Sequence, residues 1–278
     1  MNQSNIVNLK ISDNLICTSV APIHKSSSFK SEMISQALMW DKIDILKKED
    51  SWNYVILDDK YRGWIHDSYI VSAKVHIDFF KHKSVSYIYI ASRYQTVVDR
   101  LGRIVSVLSF GTRVPVLNNK DDSKNLNILL ADGSRGIINN QPQIPCIFKN
   151  KELSVNSIVD LSKMLVSVPY LWGGKSSFGY DCSGFVQSVY RIHGLNLRRD
   201  SSDMYNDLKN NTIDFSDVNT ADLVFFIKNE IVEHVGIIID QTRFIHCSGC
   251  IQINSFIKND ANYYNKIDDY KLIFTSAI

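Results

Sequence analysis

Residues 170–185 read Tyr170-Leu-Trp-Gly-Gly-Lys-Ser-Ser-Phe-Gly-Tyr-Asp-Cys182-Ser-Gly-Phe. Apolar side chains recur at helical spacing after Cys182, and Gly194 follows them, so the pattern predicts a helix over 182–193. A thiol in the first turn of a helix lies among unpaired N–H groups at the positive end of the helix dipole, which favours the thiolate. We therefore expect Cys182 to be a nucleophile whose neighbouring N–H groups can hold an oxyanion.

Two histidines further along the chain provide a base for such a thiol. His234 opens a predicted strand over 235–239, and His246 closes another over 244–246. A turn between these strands makes a hairpin, in which the two imidazoles lie opposite each other at the same end and can touch. One ring could take the thiol proton while the other fixes its tautomer, as in a nucleophile–base–orienter triad.

The rest of the second half predicts an α+β domain. An apolar stripe over 155–165 indicates a further helix, with Ser154 as its N-cap and Pro169 as its stop. Strands are predicted over 223–227, 235–239, 244–246 and 271–275. Helices followed by a run of antiparallel strands are typical of the α+β class.

Residues 1 to 148 are interpreted as short strands separated by turns. A segment around Ile43 and Gly63 resembles one around Val114 and Gly136, about 70 residues later, which indicates an internal repeat. Both copies are rich in β-branched and aromatic residues. The sequence therefore predicts two small β-barrels ahead of the α+β domain.

Composition excludes several classes of protein. The chain has 278 residues, 45% hydrophobic and 22% charged, with a formal net charge of +2, which is ordinary for a folded protein of two or three domains and argues against binding nucleic acid by bulk charge. No apolar run is long enough to span a membrane. The start lacks signal-peptide features, so we expect a cytoplasmic protein, or a secreted or periplasmic one if a leader was removed.

The cysteines do not indicate a disulfide framework or a metal site. There are only five, and an odd number cannot all be paired within one chain. Cys247-Ser-Gly-Cys250 lacks the further ligands of a zinc site, so no metal is expected.

Four ordered motifs resemble those of the NlpC-type bacterial cell-wall peptidases, which are papain-like cysteine hydrolases. They are Tyr170-Leu-Trp-Gly-Gly174, Asp181-Cys-Ser-Gly-Phe185, His234-Val-Gly-Ile237 and Ile245-His-Cys-Ser-Gly249. The resemblance implies that Cys182 is the nucleophile, His234 the base and His246 its orienting partner. It also implies that the hydroxyl of Tyr170 assists at the oxyanion. The sequence departs from the family at Cys247, where a small residue such as alanine is usual.

The N-terminal half resembles the bacterial SH3-like modules of the dipeptidyl-peptidase branch of that family. The resemblance implies domains at 1–75 and 76–148, both SH3-like barrels, and a catalytic domain at 149–278. In that branch a pocket reads the free amine of an N-terminal L-Ala. The matching positions here are Glu32, Tyr61, Ser183 and Asp200.

The expected activity is hydrolysis of the γ-D-glutamyl to diamino-acid bond in peptidoglycan-derived peptides, by a monomer without a cofactor. Two alternatives remain open at this stage. One is an amidase or acyltransferase of the same fold, and the other is a non-catalytic protein that binds peptidoglycan. The sequence does not choose between lysine and diaminopimelate in the substrate.

Overall fold

The structure is a computed structural model that describes residues 14–73, 86–117, 125–139, 146–148 and 154–277. The expected domain boundary at 75/76 lies outside these ranges, and the one at 148/149 lies at their edge. None of the helices within these ranges is long and apolar enough to cross a bilayer.

The first part of the chain forms a seven-stranded antiparallel sheet. Its order is β3-β2-β6-β5-β4-β1-β7. In β2, β5 and β6 alternate side chains are buried, including Ile23, Val55 and Ile65, as expected for strands with one face toward a core. The strands are β1 Asn14–Ile16, β2 Val20–His24, β3 Met33–Leu38, β4 Lys42–Glu49, β5 Trp52–Leu57, β6 Arg62–His66 and β7 Ile70–Ser72.

A second seven-stranded sheet repeats the first strand for strand. Its order, β10-β9-β13-β12-β11-β8-β14, becomes that of the first sheet when each number is lowered by seven, which confirms the internal repeat. The strands are β8 Ser86–Ile90, β9 Tyr94–Val98, β10 Ile104–Ser109, β11 Arg113–Val116, β12 Asn125–Leu129, β13 Arg135–Asn139 and β14 Cys146–Phe148.

Equivalent glycines occupy equivalent places in the two sheets. A Cβ at Gly63 would lie 2.3 Å from Cγ2 of Ile23, and one at Gly136 would lie 2.2 Å from Cγ1 of Val97. Both glycines let a buried side chain of the neighbouring strand pass close to the backbone. The repeated Gly of the sequence is therefore a packing requirement.

The remainder is an α+β unit, as expected. Its six-stranded sheet has the order β17-β22-β18-β19-β20-β21 and is antiparallel throughout. Its elements are α1 Val155–Lys163, β15 Lys175–Ser176, β16 Gly179–Tyr180, α2 Cys182–Ile192, α3 Ser201–Leu208, β17 Thr212–Ile213, β18 Leu223–Lys228, β19 Ile231–Asp240, β20 Arg243–Ser248, β21 Cys250–Ser255 and β22 Lys271–Thr275.

Helix α2 packs its apolar face on this sheet. Phe185, Val186 and Val189 are fully buried in one core with Ile237 and Ile245. The helix ends close to the predicted residue, and Gly194 has φ +79° beyond it, the conformation that glycine adopts after a helix. This packing fixes the N-terminus of α2, and with it Cys182.

Two details of α1 differ from the prediction. The helix ends at Lys163 rather than at Pro169, because a series of turns with Ser167 at φ +73° already leaves the helix. Ser154 occupies the N-cap position, but its side chain makes no capping bond.

The three parts are joined by buried polar contacts. Trp40 donates its indole N–H to the carbonyl of Leu129, which links the two sheets. The side chain of Gln36 accepts the backbone N–H of Lys175 at 2.8 Å, which ties β3 to the α+β unit. Strand β3 therefore lies beside the segment that leads to Cys182.

Candidate active site

Cys182 is the first residue of α2, and the chain around it is tightly constrained. The carboxylate of Asp181 caps the helix by accepting the backbone N–H of Gly184 at 2.7 Å. A Cβ at Gly184 would lie only 2.1 Å from the carbonyl oxygen of Gly174. The second Gly of Trp-Gly-Gly and the Gly of Asp-Cys-Ser-Gly are thus in direct backbone contact, which explains the glycine at 184. Position 174 needs glycine because a Cβ there would lie 2.3 Å from the carbonyl oxygen of Gly179.

The expectation of a ready-made thiolate at Cys182 is wrong. Burial raises the pKa of the Cys182 thiol to about 12, and the nearby carboxylate of Asp181 adds to the effect. Hydrogen bonds from the backbone N–H groups of Ser183 and Val235 act in the opposite direction but do not outweigh burial. Cys182 is therefore a neutral thiol at rest, and it would have to lose its proton in order to act as a nucleophile. The bond from Val235 also places the sulfur beside the residue that follows His234.

The two histidines are in contact, as predicted. Nε2 of His234 lies 2.7 Å from Nδ1 of His246. Their placement across the hairpin differs from the prediction, because His246 pairs with Gly236 and not with His234. The rings meet along the diagonal of the strand pair. A Cβ at Gly236 would come within 3.2 Å of the Cβ of His246, so this glycine leaves space for the diagonal contact.

Burial keeps both imidazoles neutral. It lowers the pKa of His234 well below the ordinary value, and the neighbouring His246 and Lys266 lower it further. Burial also lowers the pKa of His246 to about 4. The ring of His246 is enclosed by the rings of Phe226, Phe244 and Tyr264. His234 directly precedes Val235, whose N–H contacts the sulfur of Cys182, and a neutral imidazole at this position is suited to general-base activation of a neutral thiol.

Asn254 on β21 is a site residue that the sequence analysis missed. Its Oδ1 lies 2.8 Å from Nε2 of His246, and its Nδ2 donates to the carbonyl of Asn262 at 2.9 Å. No motif marks an asparagine at this point of the chain. Only its distance of eight residues from His246, across the tight turn between β20 and β21, could have drawn attention to it.

Tyr170 lies near Cys182 and is 37% exposed. Burial raises its pKa to about 12, followed by the effects of Cys182 and Asp181. Its backbone N–H is bonded to the carbonyl of Gly249. The phenol therefore keeps its proton and is a hydrogen-bond donor at neutral pH.

A buried arginine connects the helix cap to the first sheet. Arg199, 2% exposed, donates two hydrogen bonds to Asp181, at 3.0 and 2.6 Å, and a third to Ser183 Oγ at 2.9 Å. Its Nε donates to the hydroxyl of Ser35 on β3 at 2.9 Å. Arg199 was not predicted, although it directly precedes Asp200.

Two of the predicted substrate-binding residues meet next to this arginine. The hydroxyl of Tyr61, from the first sheet, donates to the carbonyl of Ile34 at 3.4 Å and lies close enough to the carboxylate of Asp200 for that charge to raise the pKa of Tyr61 after burial has done so. Burial raises the pKa of Asp200, with Arg199 opposing the effect. With Ser183 also held by Arg199, three of the four predicted residues surround one guanidinium.

Glu32, the fourth, contacts other groups. Its carboxylate accepts the indole N–H of Trp172 at 2.8 Å and pairs with Lys25 at 3.2 Å. The bond from Trp172 lowers the pKa of Glu32 most, and Lys25 lowers it further. Glu32 therefore does not join the other three residues around Arg199; it holds the exposed Trp172 ring instead.

The other cysteines of this unit make no disulfide. The Cys247 thiol is buried against the carbonyl of Tyr180, and Cys182, Cys247 and Cys250 are all free thiols.

Comparison with known proteins identifies the unit that carries this arrangement. Residues 167–267 match the model of the NlpC/P60 family. The chain contains an NlpC/P60 domain. Residues 23–70 match the bacterial dipeptidyl-peptidase SH3 domain, so the NlpC/P60 domain follows an SH3 domain. This confirms the resemblance drawn from the motifs.

Several known proteins are similar to this chain over most of its length. A gamma-D-glutamyl-L-lysine dipeptidyl-peptidase from Bacillus cereus is 23% identical over 243 residues, which cover 78% of this chain and 67% of that protein. Dipeptidyl-peptidase 6 from Lysinibacillus sphaericus is 23% identical, with 84% and 87% covered. A crystal structure of an NlpC/P60 family protein from Bacillus cereus has a TM-score of 0.79 at 19% identity and covers 94% of this chain and 98% of that one. The fold is thus shared over nearly the full length.

Proposed function

We propose that this protein is a cysteine peptidase that hydrolyses the γ-D-glutamyl–diamino acid bond of muropeptides with a free N-terminal L-Ala and releases L-Ala-γ-D-Glu. The observation that carries the proposal is the contact of Tyr61 with Asp200, beside the arginine that holds the cap of the nucleophile's helix. A half-buried carboxylate next to a hydroxyl suits a substrate ammonium, which needs a charged partner when it leaves water. The names of the relatives support the same substrate class.

In the proposed reaction, one proton passes from the thiol to His234 and then to the leaving amine. Sγ of Cys182 attacks the scissile carbonyl while its proton passes to His234, so that thiolate charge develops only as the new bond forms. The Tyr170 hydroxyl donates a hydrogen bond to the oxyanion. Collapse of the tetrahedral intermediate breaks the C–N bond, and the amine leaves with the proton from His234. Water, activated by the same imidazole, then hydrolyses the thioester.

The first sheet would set where the peptide is cut. Strand β3 and Tyr61 stand on the side of the nucleophile where Arg199 and Asp200 lie. A substrate whose ammonium docks there places its second peptide linkage over Cys182, so a dipeptide leaves. Binding energy from a remote group would then position the reacting carbonyl.

The proposal includes a finer description of the architecture. We assign a papain-like fold to the domain over 149–278, and SH3-like barrels to 1–75 and 76–148. Helix α2 packed on an antiparallel sheet, with the thiol at its first turn, supports the former. The repeated strand order supports the latter.

Mass spectrometry of two tripeptides tests the reaction. L-Ala-γ-D-Glu-L-Lys and its diaminopimelate counterpart are incubated with the wild type and with Cys182→Ala. We expect release of L-Ala-γ-D-Glu by the wild type alone. Cleavage by both proteins, or only of amides that lack D-Glu, would overturn the proposal, and the second result would favour the amidase reading.

A second experiment tests the amine pocket. Acetylation of the substrate's N-terminus removes the ammonium, and Asp200→Asn and Tyr61→Phe remove its partners. Acetylation is expected to raise KM with the wild type, and each variant is expected to raise KM for the free peptide. The two variants should no longer distinguish the free peptide from the acetylated one. Equal turnover of free and acetylated peptide by the wild type would contradict the assignment. If Glu32 acts by holding the indole of Trp172, then Glu32→Gln and Trp172→Phe should change KM in the same way.

A further inference from the structure

Three polar side chains form an oblique line across three neighbouring strands. His246 on β20 pairs directly with Gly236 on β19 and with Gln252 on β21. His234 and Asn254 stand two residues from these partners, and both reach His246 along the diagonal. The line therefore has His246 at its centre, with one contact on each side.

The orientation of Asn254 is set from outside the line. Its Nδ2 donates to the backbone carbonyl of Asn262, which can only accept. The amide oxygen must then point at His246. Because an oxygen of this kind can only accept, Nε2 of His246 carries the hydrogen of that contact.

The tautomers of both rings follow from this starting point. A neutral imidazole has one N–H and one lone pair. With its hydrogen on Nε2, His246 offers the lone pair of Nδ1 to His234 at 2.7 Å. Nε2 of His234 must then be the donor in that contact. This leaves Nδ1 of His234 with a lone pair available for the thiol proton.

We propose that Asn254 is a positioning residue that, held by the carbonyl of Asn262, fixes both histidines in their Nε2–H tautomers and so makes Nδ1 of His234 the base. Without Asn254, either nitrogen of His246 can carry the hydrogen. In the opposite tautomer Nδ1–H of His246 would donate to His234, whose hydrogen would move to Nδ1. That nitrogen then has no lone pair for the thiol.

The tautomers can be observed without any substrate. This inference rests on the proposed function only for the role of His234 as base, and nitrogen-15 NMR of the histidine rings tests it independently. The wild type is expected to show Nε2–H and a bare Nδ1 in both rings. Asn254→Leu should give a mixture of tautomers in His246. The control Gln252→Leu, on the same strand, loses only a bond to the carbonyl of Ser248 and should keep the wild-type pattern.

Reactivity provides the second readout. The rate of alkylation of Cys182 by iodoacetamide, followed by peptide mass spectrometry, depends on transfer of the thiol proton and not on the peptide substrate. Asn254→Leu is expected to slow it about ten-fold or more, as loss of a correctly held tautomer slows other triads. If Asn254→Leu keeps both the tautomers and the alkylation rate of the wild type, the proposal is wrong.

Asn254→Asp separates positioning from a merely structural role, and covers the case that the leucine variant does not fold. The carboxylate keeps an acceptor at Nε2 of His246 and adds a negative charge. The groups already facing the two rings are Tyr264, against His246, and Lys266, whose charge acts on His234, both from the segment after β21. Next to these groups, the new negative charge should raise the pKa of the two histidines. The acid limb of the pH profile of alkylation should therefore move to higher pH, while the tautomers stay the same. An unshifted limb, or a change of tautomer, would overturn the proposal.

Discussion

At the scale of single residues, the proposed reaction depends on two groups that burial keeps uncharged. The pKa of Cys182 is raised and that of His234 is lowered, so the pair does not exist as an ion pair before substrate arrives. The base works only while it is unprotonated. A lowered pKa therefore extends activity toward acid, and activity is lost as the pH falls through that lowered value.

The acid limb of kcat/KM is accordingly expected below pH 6.5, the ordinary value for a histidine. Lys266→Met removes a cation that lowers the pKa of His234, so this variant should move the limb to higher pH. Lys258→Met, whose ammonium pairs with Asp268, is the control and should leave the limb in place. The pH profile of tripeptide hydrolysis decides the matter, and a wild-type limb above 6.5 would contradict the structure.

His246 should also make the stability of the fold depend on pH. Its pKa falls from 6.5 in the unfolded chain to about 4 in the folded one. The folded state therefore loses stability as the pH drops from 6.5 toward 4, because only the unfolded chain then takes up the proton. That loss is about 3 kcal/mol at 1.36 kcal/mol per pKa unit.

The control for this effect is His246→Gln, which cannot titrate in that range. Its free energy of unfolding in urea should fall less than that of the wild type between neutral pH and pH 4. Parallel curves for the two proteins would show that His246 is not the titrating group.

The residues of the site differ in how visible they are in the sequence. Cys182 and the two histidines, whose catalytic roles stay a prediction, stand in motifs whose spacing has a chemical reason, and they were named from the sequence. Asn254 and Arg199 were not, because each acts through a partner that is distant in sequence or on another strand. The state of the thiol was also mispredicted, since the helix dipole can be read from the sequence but the burial that outweighs it cannot.

At the scale of elements, each of the two sheets has a glycine that leaves room for a buried side chain of the neighbouring strand. Gly63→Ala and Gly136→Ala would each push a Cβ into a buried aliphatic side chain, Ile23 or Val97. We expect each to lower the free energy of unfolding by about 1–3 kcal/mol, the usual cost of overpacking. Because the sites are equivalent in the repeat, the two losses should be similar, as measured by urea unfolding.

The double variant Gly63→Ala/Ile23→Ala tests the cause. Removing the clashing methyl groups should make the combined loss smaller than the sum of the two single losses. Gly194→Ala serves as a comparison, since it has positive φ but open space around its Cβ, and it should show no coupling with Ile23. Additive losses for the clashing pair would sink the packing explanation.

Long, apolar elements were the easiest to predict. Helix α2 and the central strands bury continuous apolar faces, so their periodicity is strong. Helix α3 was missed because it is short and only Met204 is buried in it. Strand β21 was missed because its burial does not alternate cleanly, and its pairing with β20 provides the order that its own sequence does not indicate.

At the scale of the whole molecule, charged groups are buried where the three parts meet. Lys175, 4% exposed, lies 3.4 Å from the carboxylate of Asp59, and Arg191 pairs with Asp41. Asp59 also accepts a hydrogen bond from Gln187, one turn after Ser183 on α2. Contacts of this kind couple the first sheet to the helix of the nucleophile, so we expect the chain to unfold in one cooperative transition.

Breaking one of these pairs should be far more costly than removing both partners. Asp59→Leu leaves the buried ammonium of Lys175 without its nearest counter-ion, and the expected loss in the free energy of unfolding is about 3–5 kcal/mol. Asp59→Leu/Lys175→Met replaces both charges with apolar groups and should recover much of that loss. The exposed pair of Lys258 and Asp268 provides the control, where single and double changes should leave unfolding unaltered. If the double variant at the junction is as unstable as the single one, the loss comes from packing and not from the unpaired charge.

The number of unfolding transitions of the wild type tests the coupling itself. Two separate transitions would mean that the SH3 domain and the NlpC/P60 domain do not stabilise each other. The contacts of β3 with the segment before Cys182 would then form only between parts that are already folded.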